Sequence, residues 1–126
     1  MVVGVGVDLV QIARIRRAME RWQDRFLERV FTAGELAYAR RRRDPAEHLA
    51  ARFAAKEALL KALTSGLTGA MRWHDIEVAR DPAGTPRLVV TGATREALDR
   101  HGLLPCSVSL SHTKSHAVAV VLLASS

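Results

Sequence analysis

The stretch "ARFAAKEALLKAL", residues 51–63, constrains the fold more than any other part of the sequence. At about 100° per residue, its leucines and its phenylalanine form one apolar stripe, and Arg52 and Lys56 fall within that stripe. The opposite side carries alanines, which allow another element to approach closely. A helix that is apolar or small nearly all round is usually buried, and buried charges need partners. We therefore predict a buried central helix whose charges have specific partners.

Capping signals place the start of this helix and of a shorter helix before it. Thr32, with Glu35 three residues later, forms a capping box and predicts a short helix from that point. Asp44 suits the N-cap of the long helix and Pro45 its first position, with a glutamate completing a second box. The long helix is expected to end near Gly66.

The remaining segments predict an α+β fold. Apolar runs rich in β-branched residues indicate strands, and a helical pattern follows the first of them. We expect one domain spanning residues 1–126, in which the long central helix packs on a small, mostly antiparallel sheet. The last two strands should form a hairpin. The predicted strands are residues 2–9, 75–80, 87–91, 107–112 and 117–124, with helices from Ile12 and near 94–101.

Composition and charge limit the classes of partner. Hydrophobic residues make up 48% of the 126-residue chain and charged residues 25%, which is ordinary for a globular domain. Nineteen lysines and arginines against thirteen acids give a net charge of +6. This balance favours a polyanionic partner: nucleic acid, an acidic protein or a phosphate-rich small molecule. Aromatic residues, at 5%, leave few stacking platforms for single-stranded nucleic acid.

The sequence shows no signal for secretion or membrane insertion. Its N-terminus, "MVVGVGVDLV", lacks the basic segment and the small-residue cleavage site of a secretory signal. No stretch is long and apolar enough to span a bilayer. Cys106, the single cysteine, cannot form an internal disulfide. We expect a cytoplasmic protein with no membrane partner.

The charges of the central helix suggest a polyphosphate ligand and a metal ion. Glu57 and Lys61 stand four residues apart, a spacing that on an exposed helix would form a stabilising pair of about 0.3–0.5 kcal/mol. This helix is expected to be buried, and Arg52 and Lys56 lie close to the pair. Three cations and one carboxylate on such a helix suggest a site for a polyphosphate and a metal ion better than a simple surface ion pair. Magnesium prefers one or two carboxylates plus phosphate oxygens and water, so a second acid is needed. Asp8, the only acid in the first apolar strand, is the candidate, and an N-cap for the next helix is its alternative role.

A histidine near the C-terminus is a second candidate site residue. His112 lies where a predicted strand meets its turn, a position from which a rigidly held side chain can reach a ligand. His112 and His116 could suggest a metal pair, but their spacing suits a helix better than a hairpin, and no third ligand is evident. Zinc is therefore disfavoured, and an ordinary turn histidine remains the alternative.

The first helix has one apolar side and one basic side. Four arginines recur every three or four residues opposite its apolar positions, with no acid at the same spacing to balance them. A solvated face and a docking surface for an acidic partner both fit this pattern. The apolar positions are Ile12, Ile15, Met19 and Trp22, and the arginines are Arg14, Arg17, Arg21 and Arg25.

Four ordered blocks together resemble a known family. "GVDLVQIARI", "FTAGE", "ARFAAKEALLKAL" and "LSHTKSHAVAV" look like those of holo-acyl-carrier-protein synthases, which are 4′-phosphopantetheinyl transferases. The resemblance covers nearly the whole chain. It implies a phosphopantetheinyl-transferase-like fold, transfer of phosphopantetheine from coenzyme A to a serine of an acidic apo acyl carrier protein, and release of 3′,5′-ADP. It also implies magnesium and a homotrimer with sites between subunits.

The resemblance assigns roles to particular residues. Asp8 and Glu57 would hold the metal and Lys61 would stand beside the diphosphate, so that these three are the catalytic candidates. The first-helix arginines would dock the carrier protein. The residues that would line the coenzyme A cleft are Arg52, Phe53, Lys56, Lys61, His112 and Thr113.

The chain departs from the family pattern at two places, and two other functions stay open. Ala51 stands where the family often has glycine, and "TSGLTG" replaces a Gly-Thr-Gly-like turn. A basic domain of this kind could instead bind nucleic acid, although that leaves Asp8 and Glu57 unexplained. It could also be a non-catalytic docking module for an acidic protein. The sequence leaves open whether a fatty-acid or a polyketide carrier is served; we expect no nucleic-acid partner.

Overall fold

The computed structural model describes residues 1–63 and 71–126, except for the side chain of Cys106. The described part is α+β, as predicted. One strand is followed by three helices, and two strand hairpins separated by a fourth helix come after them, with a 3₁₀ turn before the second strand. The elements are β1 Val2–Gln11, α1 Ile12–Val30, α2 Ala33–Arg40, α3 Pro45–Ala62, the turn Trp73–Asp75, β2 Ile76–Arg80, β3 Pro86–Val90, α4 Gly92–Arg100, β4 Leu103–His112 and β5 His116–Ser125.

Two antiparallel sheets flank the central helix. The larger has the order β1-β5-β4, and the smaller is the β2-β3 hairpin. Helix α3 packs on β1 and β5, and β3 contacts β4, so that both sheets share one apolar core. The β4-β5 turn is closed by the Thr113 amide, which donates to the His116 carbonyl at 2.8 Å. The predicted C-terminal hairpin is therefore confirmed.

Helix α3 is buried on nearly all sides, as its sequence predicts. Its alanines, including Ala51, lie in the core with its leucines. The Asp44 side chain caps the helix by accepting from the Ala46 amide at 3.2 Å. The helix ends at Ala62, earlier than expected, with Leu63 as its C-cap. The segment "TSGLTG" lies outside the described residues.

A glycine lets α3 lie directly on β1. A Cβ at Gly6 would overlap the Ala58 carbonyl group of α3, so only glycine permits this backbone contact. Side chains alternate along β1, and Gly6, Asp8 and Val10 point to the α3 side of the sheet. The close approach therefore brings Asp8 to the C-terminal half of α3.

Helix α1 differs from its predicted pattern at one position. Ile12 and Ile15 are buried as expected, but the Trp22 side chain is 48% exposed. Gln23, the next residue, has φ 48° and breaks the helix. Because regular helical geometry ends there, the predicted apolar stripe does not continue against the core at Trp22. Buried positions resume at Leu27, after the break.

Helix α2 begins with the predicted capping box. The Glu35 amide donates to the Thr32 hydroxyl at 3.2 Å, and the Thr32 amide donates to the Glu35 carboxylate at 2.9 Å. The Glu35 side chain is nevertheless buried, which capping alone does not require. Its carboxylate also forms an ion pair with Lys56 of α3.

Candidate active site

Asp8, Glu57 and Lys61 come together where β1 crosses the C-terminal half of α3. The Lys61 ammonium lies 2.6 Å from the Asp8 carboxylate and 3.4 Å from the Val7 carbonyl. The Asp8 side chain is mostly buried, whereas that of Lys61 is about half exposed. The hydrogen bond and charge of Asp8 raise the pKa of Lys61. The structure thus joins the three predicted catalytic residues.

Glu57 is a carboxylate in an unfavourable environment. Its burial raises its pKa, and the negative charge of Asp8 raises it further. The positive charges of Lys61 and Arg14 oppose this shift without cancelling it. Burial thus disfavours the ionised form of Glu57 more than the nearby cations favour it, and a further bound cation would stabilise that form.

The donor set suits magnesium. In the part of the chain that the structure describes, no group of three or more His, Cys, Asp or Glu side chains could hold a metal ion. Magnesium does not need one, because it takes one or two carboxylates and completes its shell with water and substrate phosphates. Asp8 and Glu57 supply those two carboxylates, which lie close enough for the charge of Asp8 to raise the pKa of Glu57 after the larger effect of burial.

Arg52 lies in the N-terminal half of α3, inside a cluster of cations. Its side chain is buried, and its guanidinium stacks 4.1 Å from the centre of the Tyr38 ring. It also donates to the His48 carbonyl at 3.3 Å, while its Nε atom has no hydrogen-bond partner among the described residues. Arg42 and Arg80 contact the same tyrosine ring. The surroundings of Arg52 are therefore strongly positive.

The arginines change the acidity of Tyr38, a residue that the sequence argument missed. Burial raises the pKa of Tyr38, but the charges of Arg80, Arg42 and Arg52 outweigh it and lower the pKa overall. The four arginines that follow Tyr38 in the sequence hint at this environment. The contacts of Arg52 and Arg80 could not be anticipated, because they come from other elements.

His112 lies beside the first turn of α3, and Thr113 follows it in the β4-β5 turn. His112 Nδ1 is 3.7 Å from the Glu47 carboxylate, and its ring packs edge-on to His48. Burial lowers the pKa of His48, and the charges of Arg52 and His112 lower it further. His48 and Lys61 are separated along α3 by about 20 Å at the usual helical rise. We call His112, His48 and Glu47 the His112 cluster, and Asp8, Glu57 and Lys61 the Asp8 cluster. The two clusters therefore lie at opposite halves of α3.

Lys56 is not exposed to any cleft. Its side chain is 0% exposed, and its ammonium lies 2.7 Å from the Glu35 carboxylate. It also donates to the Trp73 carbonyl at 3.1 Å and to the Ile76 carbonyl. Lys56 was expected to line the coenzyme A cleft, but protein oxygens already surround its ammonium group. Phe53, by contrast, is only partly buried and packs 5.3 Å from the Trp73 ring.

The four α1 arginines predicted to dock a partner, Arg14, Arg17, Arg21 and Arg25, are all exposed. None of the ion pairs within residues 1–63 and 71–126 involves them. Arg17 and Arg21 border a surface depression of about 530 Å³ beside Trp22, and Arg25 borders another of about 300 Å³. Because the break at Gln23 separates Arg21 from Arg25, the stripe is interrupted there. Arg14 lies close enough to Glu57 to lower its pKa.

Comparison with known proteins identifies the class. The sequence profile of the 4′-phosphopantetheinyl transferase superfamily matches residues 4–121. The chain therefore belongs to this superfamily. A holo-(acyl-carrier-protein) synthase of Koribacter versatilis is 42% identical over 123 residues, covering 98% of each chain. One of Syntrophus aciditrophicus is 46% identical over 123 residues, covering 98% of this chain and 96% of its own.

Solved structures agree with this assignment. The holo-(acyl-carrier-protein) synthase of Neisseria meningitidis has a TM-score of 0.89 at 32% identity, covering 98% of this chain and 99% of its own. The Helicobacter pylori enzyme, solved in complex with coenzyme A, has a TM-score of 0.83 at 31% identity, covering 95% and 99%. The predicted fold and family are confirmed. No helix within the described residues combines the length and hydropathy needed to cross a membrane.

Proposed function

We propose that this chain, acting as one domain over residues 1–126, transfers 4′-phosphopantetheine from coenzyme A to a serine of an apo acyl carrier protein. The reaction releases 3′,5′-ADP. The observation that carries this proposal is the cluster of Asp8, Glu57 and Lys61 in a chain that belongs to the transferase superfamily. A nucleic-acid-binding or purely docking domain would not need a half-buried pair of carboxylates.

The residues of the cluster divide the chemistry between them. The serine oxygen attacks the β-phosphorus of coenzyme A, and the bond from that phosphorus to the bridging oxygen breaks. That oxygen leaves with 3′,5′-ADP, and Lys61 stabilises its developing charge. Glu57 receives the serine proton, directly or through a water molecule.

Magnesium belongs to the proposal as the cation held by Asp8 and Glu57. When bound, it would neutralise the diphosphate and help to orient it. The two carboxylates lie close enough to interact electrostatically, which supports these residues as its ligands. We expect its removal by a chelator to abolish transfer.

The coenzyme A cleft is proposed to include Arg52, Phe53, His112 and Thr113. The cations gathered around Tyr38, from Arg42 and Arg80 as well as Arg52, suit a phosphate group. Lys56 is left out, because its ammonium is bonded within the core.

We further propose a homotrimer in which neighbouring subunits complete each site. The outer face of β1 exposes a row of apolar side chains, and large patches of this kind are usually covered by a partner. The separation of the Asp8 cluster from the His112 cluster supports a site that combines the two from different subunits. The exposed residues are Val3, Val5, Val7 and Leu9.

An acidic carrier protein is the proposed partner of the α1 arginines Arg14, Arg17, Arg21 and Arg25. Their exposure, and the position of Arg14 near Glu57, support docking beside the reacting serine. Helix α1 carries more arginines than acids, and a surface of net positive charge would raise the rate of encounter with an acidic protein.

The decisive experiment mixes the protein with coenzyme A, magnesium and candidate apo carrier proteins. Transfer predicts release of 3′,5′-ADP together with an equal amount of modified carrier, detected by mass spectrometry. Asp8→Ala and Glu57→Ala should each reduce turnover by about a hundredfold or more while remaining folded. Release of 3′,5′-ADP without carrier modification, or full activity of either variant, would contradict the proposal.

A further inference from the structure

The buried ion pair of Lys56 and Glu35 connects four elements. The Lys56 ammonium, from α3, bonds to the Trp73 carbonyl of the 3₁₀ turn and the Ile76 carbonyl of β2. The Glu35 carboxylate, from α2, accepts from Lys56 at 2.7 Å and from the Val78 amide of β2 at 2.8 Å. Both side chains are fully buried. All of these polar groups are thus satisfied by one another.

Stability alone does not explain this pair. Charges that leave water lose solvation, and well-packed apolar residues often stabilise a core as much as a buried ion pair does. The pair instead constrains geometry, because each hydrogen bond requires a particular distance and angle between its two groups. The oxygens around Lys56 come from α2, the turn and β2, so the pair fixes the position of those elements relative to α3.

The element fixed most directly is the turn that carries Trp73. Lys56 holds the Trp73 carbonyl at 3.1 Å, and Phe53 packs against the Trp73 ring at 5.3 Å. Phe53 and Lys56 lie three residues apart and are neighbours on α3. One face of α3 therefore holds both the backbone and the ring of Trp73.

The carboxylate cluster is held in a different way. Glu57 follows Lys56 directly, so their side chains leave α3 about 100° apart, one toward the core and one toward Asp8. The position of Asp8 relative to Glu57 depends on the close contact of β1 with α3 at Gly6. Loss of the Lys56 pair should therefore disturb the Phe53–Trp73 contact without disturbing the cluster.

We propose that Lys56 and Glu35 are positioning residues, which hold the Phe53–Trp73 contact as one wall of the coenzyme A cleft. This inference rests on the proposed function for the identity of the ligand. The pair itself does not touch coenzyme A; it acts through the turn and through β2.

Steady-state kinetics of Lys56→Met test this role, because methionine keeps most of the length without the charge. We expect the KM for coenzyme A to rise about tenfold, with the magnesium activation midpoint within about twofold of the original protein. Arg100→Met, which removes an exposed cation from α4, is the matched control and should change neither quantity. A lower folded fraction with an unchanged KM would show a purely structural role and overturn the proposal.

Fluorescence gives a readout that does not depend on the enzyme assay. Trp22 and Trp73 are the two tryptophans, so Trp22→Phe isolates the emission of Trp73. In that background Lys56→Met should shift the Trp73 emission to longer wavelength while circular dichroism shows a folded protein. An unchanged spectrum would overturn the positioning role. Failure of the original protein to release 3′,5′-ADP would instead overturn the proposed function.

If Lys56→Met does not fold even at low temperature, the Glu35→Gln variant tests the positioning role instead. The amide keeps the side-chain volume and one acceptor oxygen but loses the charge and one acceptor of the pair. We expect the same direction of change in the KM and in the Trp73 emission, with a smaller size. If folded Glu35→Gln has the same KM for coenzyme A and the same Trp73 emission as the original protein, the proposal is contradicted.

Discussion

At the scale of single residues, Glu57 shows a conflict between stability and activity. Its carboxylate is partly buried beside Asp8, and both conditions favour the protonated form. A carboxyl group with a raised pKa in the folded protein binds protons more tightly there than in the unfolded chain. Stability therefore falls as pH rises through the interval between the unfolded and folded pKa values, and stays lower above it. Active sites often retain such unfavourable groups.

Glu57→Gln should stabilise the metal-free protein at neutral pH. Glutamine cannot ionise, so the cost of charging residue 57 in the folded state disappears. The increase in melting temperature should vanish below about pH 4, where glutamate is protonated in both states. Thermal unfolding between about pH 3 and pH 8, with a chelator present, measures this difference.

Magnesium provides the control for this effect. It should raise the melting temperature of the original protein more than that of Glu57→Gln, because the variant lacks one of the two carboxylates. A variant that is less stable at neutral pH, or equal stabilisation of both proteins by magnesium, would contradict the assignment of Glu57.

At the scale of elements, the contact of β1 with α3 determines the geometry of the candidate site. Asp8 belongs to a strand and Glu57 to a helix, so their separation depends on how closely the two backbones approach. Gly6 permits that approach, because any side chain there would overlap the Ala58 carbonyl. The residue that sets the site is thus two positions before Asp8 and carries no functional group.

Gly6→Ala should destabilise the protein and reduce its activity together. The added methyl group must push α3 away from β1, at a cost of about 1–3 kcal/mol or more in the free energy of unfolding. Urea denaturation measures the loss. Gly4→Ala is the matched control, because its Cβ would lie 3.4 Å from the Ala62 carbonyl oxygen, where a small adjustment suffices. Equal stability of the two variants would mean that the Gly6 contact is not required.

Helix α1 is the second element with a separable role. Arg17 and Arg21 border the same depression beside Trp22, whereas Arg14 influences Glu57 directly. Variants of Arg14 would therefore confuse docking with chemistry. Arg17 and Arg21 are the better residues with which to examine the carrier protein alone.

Arg17→Glu combined with Arg21→Glu should raise the KM for the carrier protein by about tenfold and weaken its dependence on salt. The KM for coenzyme A should stay close to its original value. Arg87→Glu with Arg100→Glu makes the same change in net charge at exposed positions on β3 and α4. If this control double variant raises the KM for the carrier equally, the effect comes from net charge and not from a docking face on α1.

At the scale of the whole molecule, the outer face of the larger sheet is an unusual surface. Val5 and Val7 are exposed on β1, and their strand partners on β5 are Leu122 and Val120. Directly paired residues point to the same face of a sheet, so these side chains form one apolar surface. Such a surface suits an interface between copies of the chain.

Val5→Glu should shift the protein from the proposed trimer toward a monomer, because each interface would then bury an unpaired charge. Light scattering during size-exclusion chromatography measures the mass. Val89→Glu is the control, since Val89 is a similarly exposed valine on the β2-β3 hairpin. A trimeric Val5→Glu protein, or a monomeric original protein, would exclude this face as the trimer interface.

Local sequence patterns determined most of the secondary structure. The capping box of Thr32 and Glu35, the Asp44 cap and the apolar character of α3 are interactions within a few residues, and all are present in the structure. The four ordered blocks also indicated the family, which the comparisons confirm. The roles of Asp8, Glu57 and Lys61 remain predictions, although the structure brings these three residues together.

Tertiary structure alone decided which charges are free. Lys56 and Glu57 are neighbours in the sequence, but Lys56 meets the Glu35 carboxylate in the core while Glu57 meets Asp8 near the surface. Helical periodicity gives the angle between two side chains, but it does not give the partner that each will meet. That partner depends on contacts between residues far apart in sequence, and burial then determines which charges remain available for a ligand.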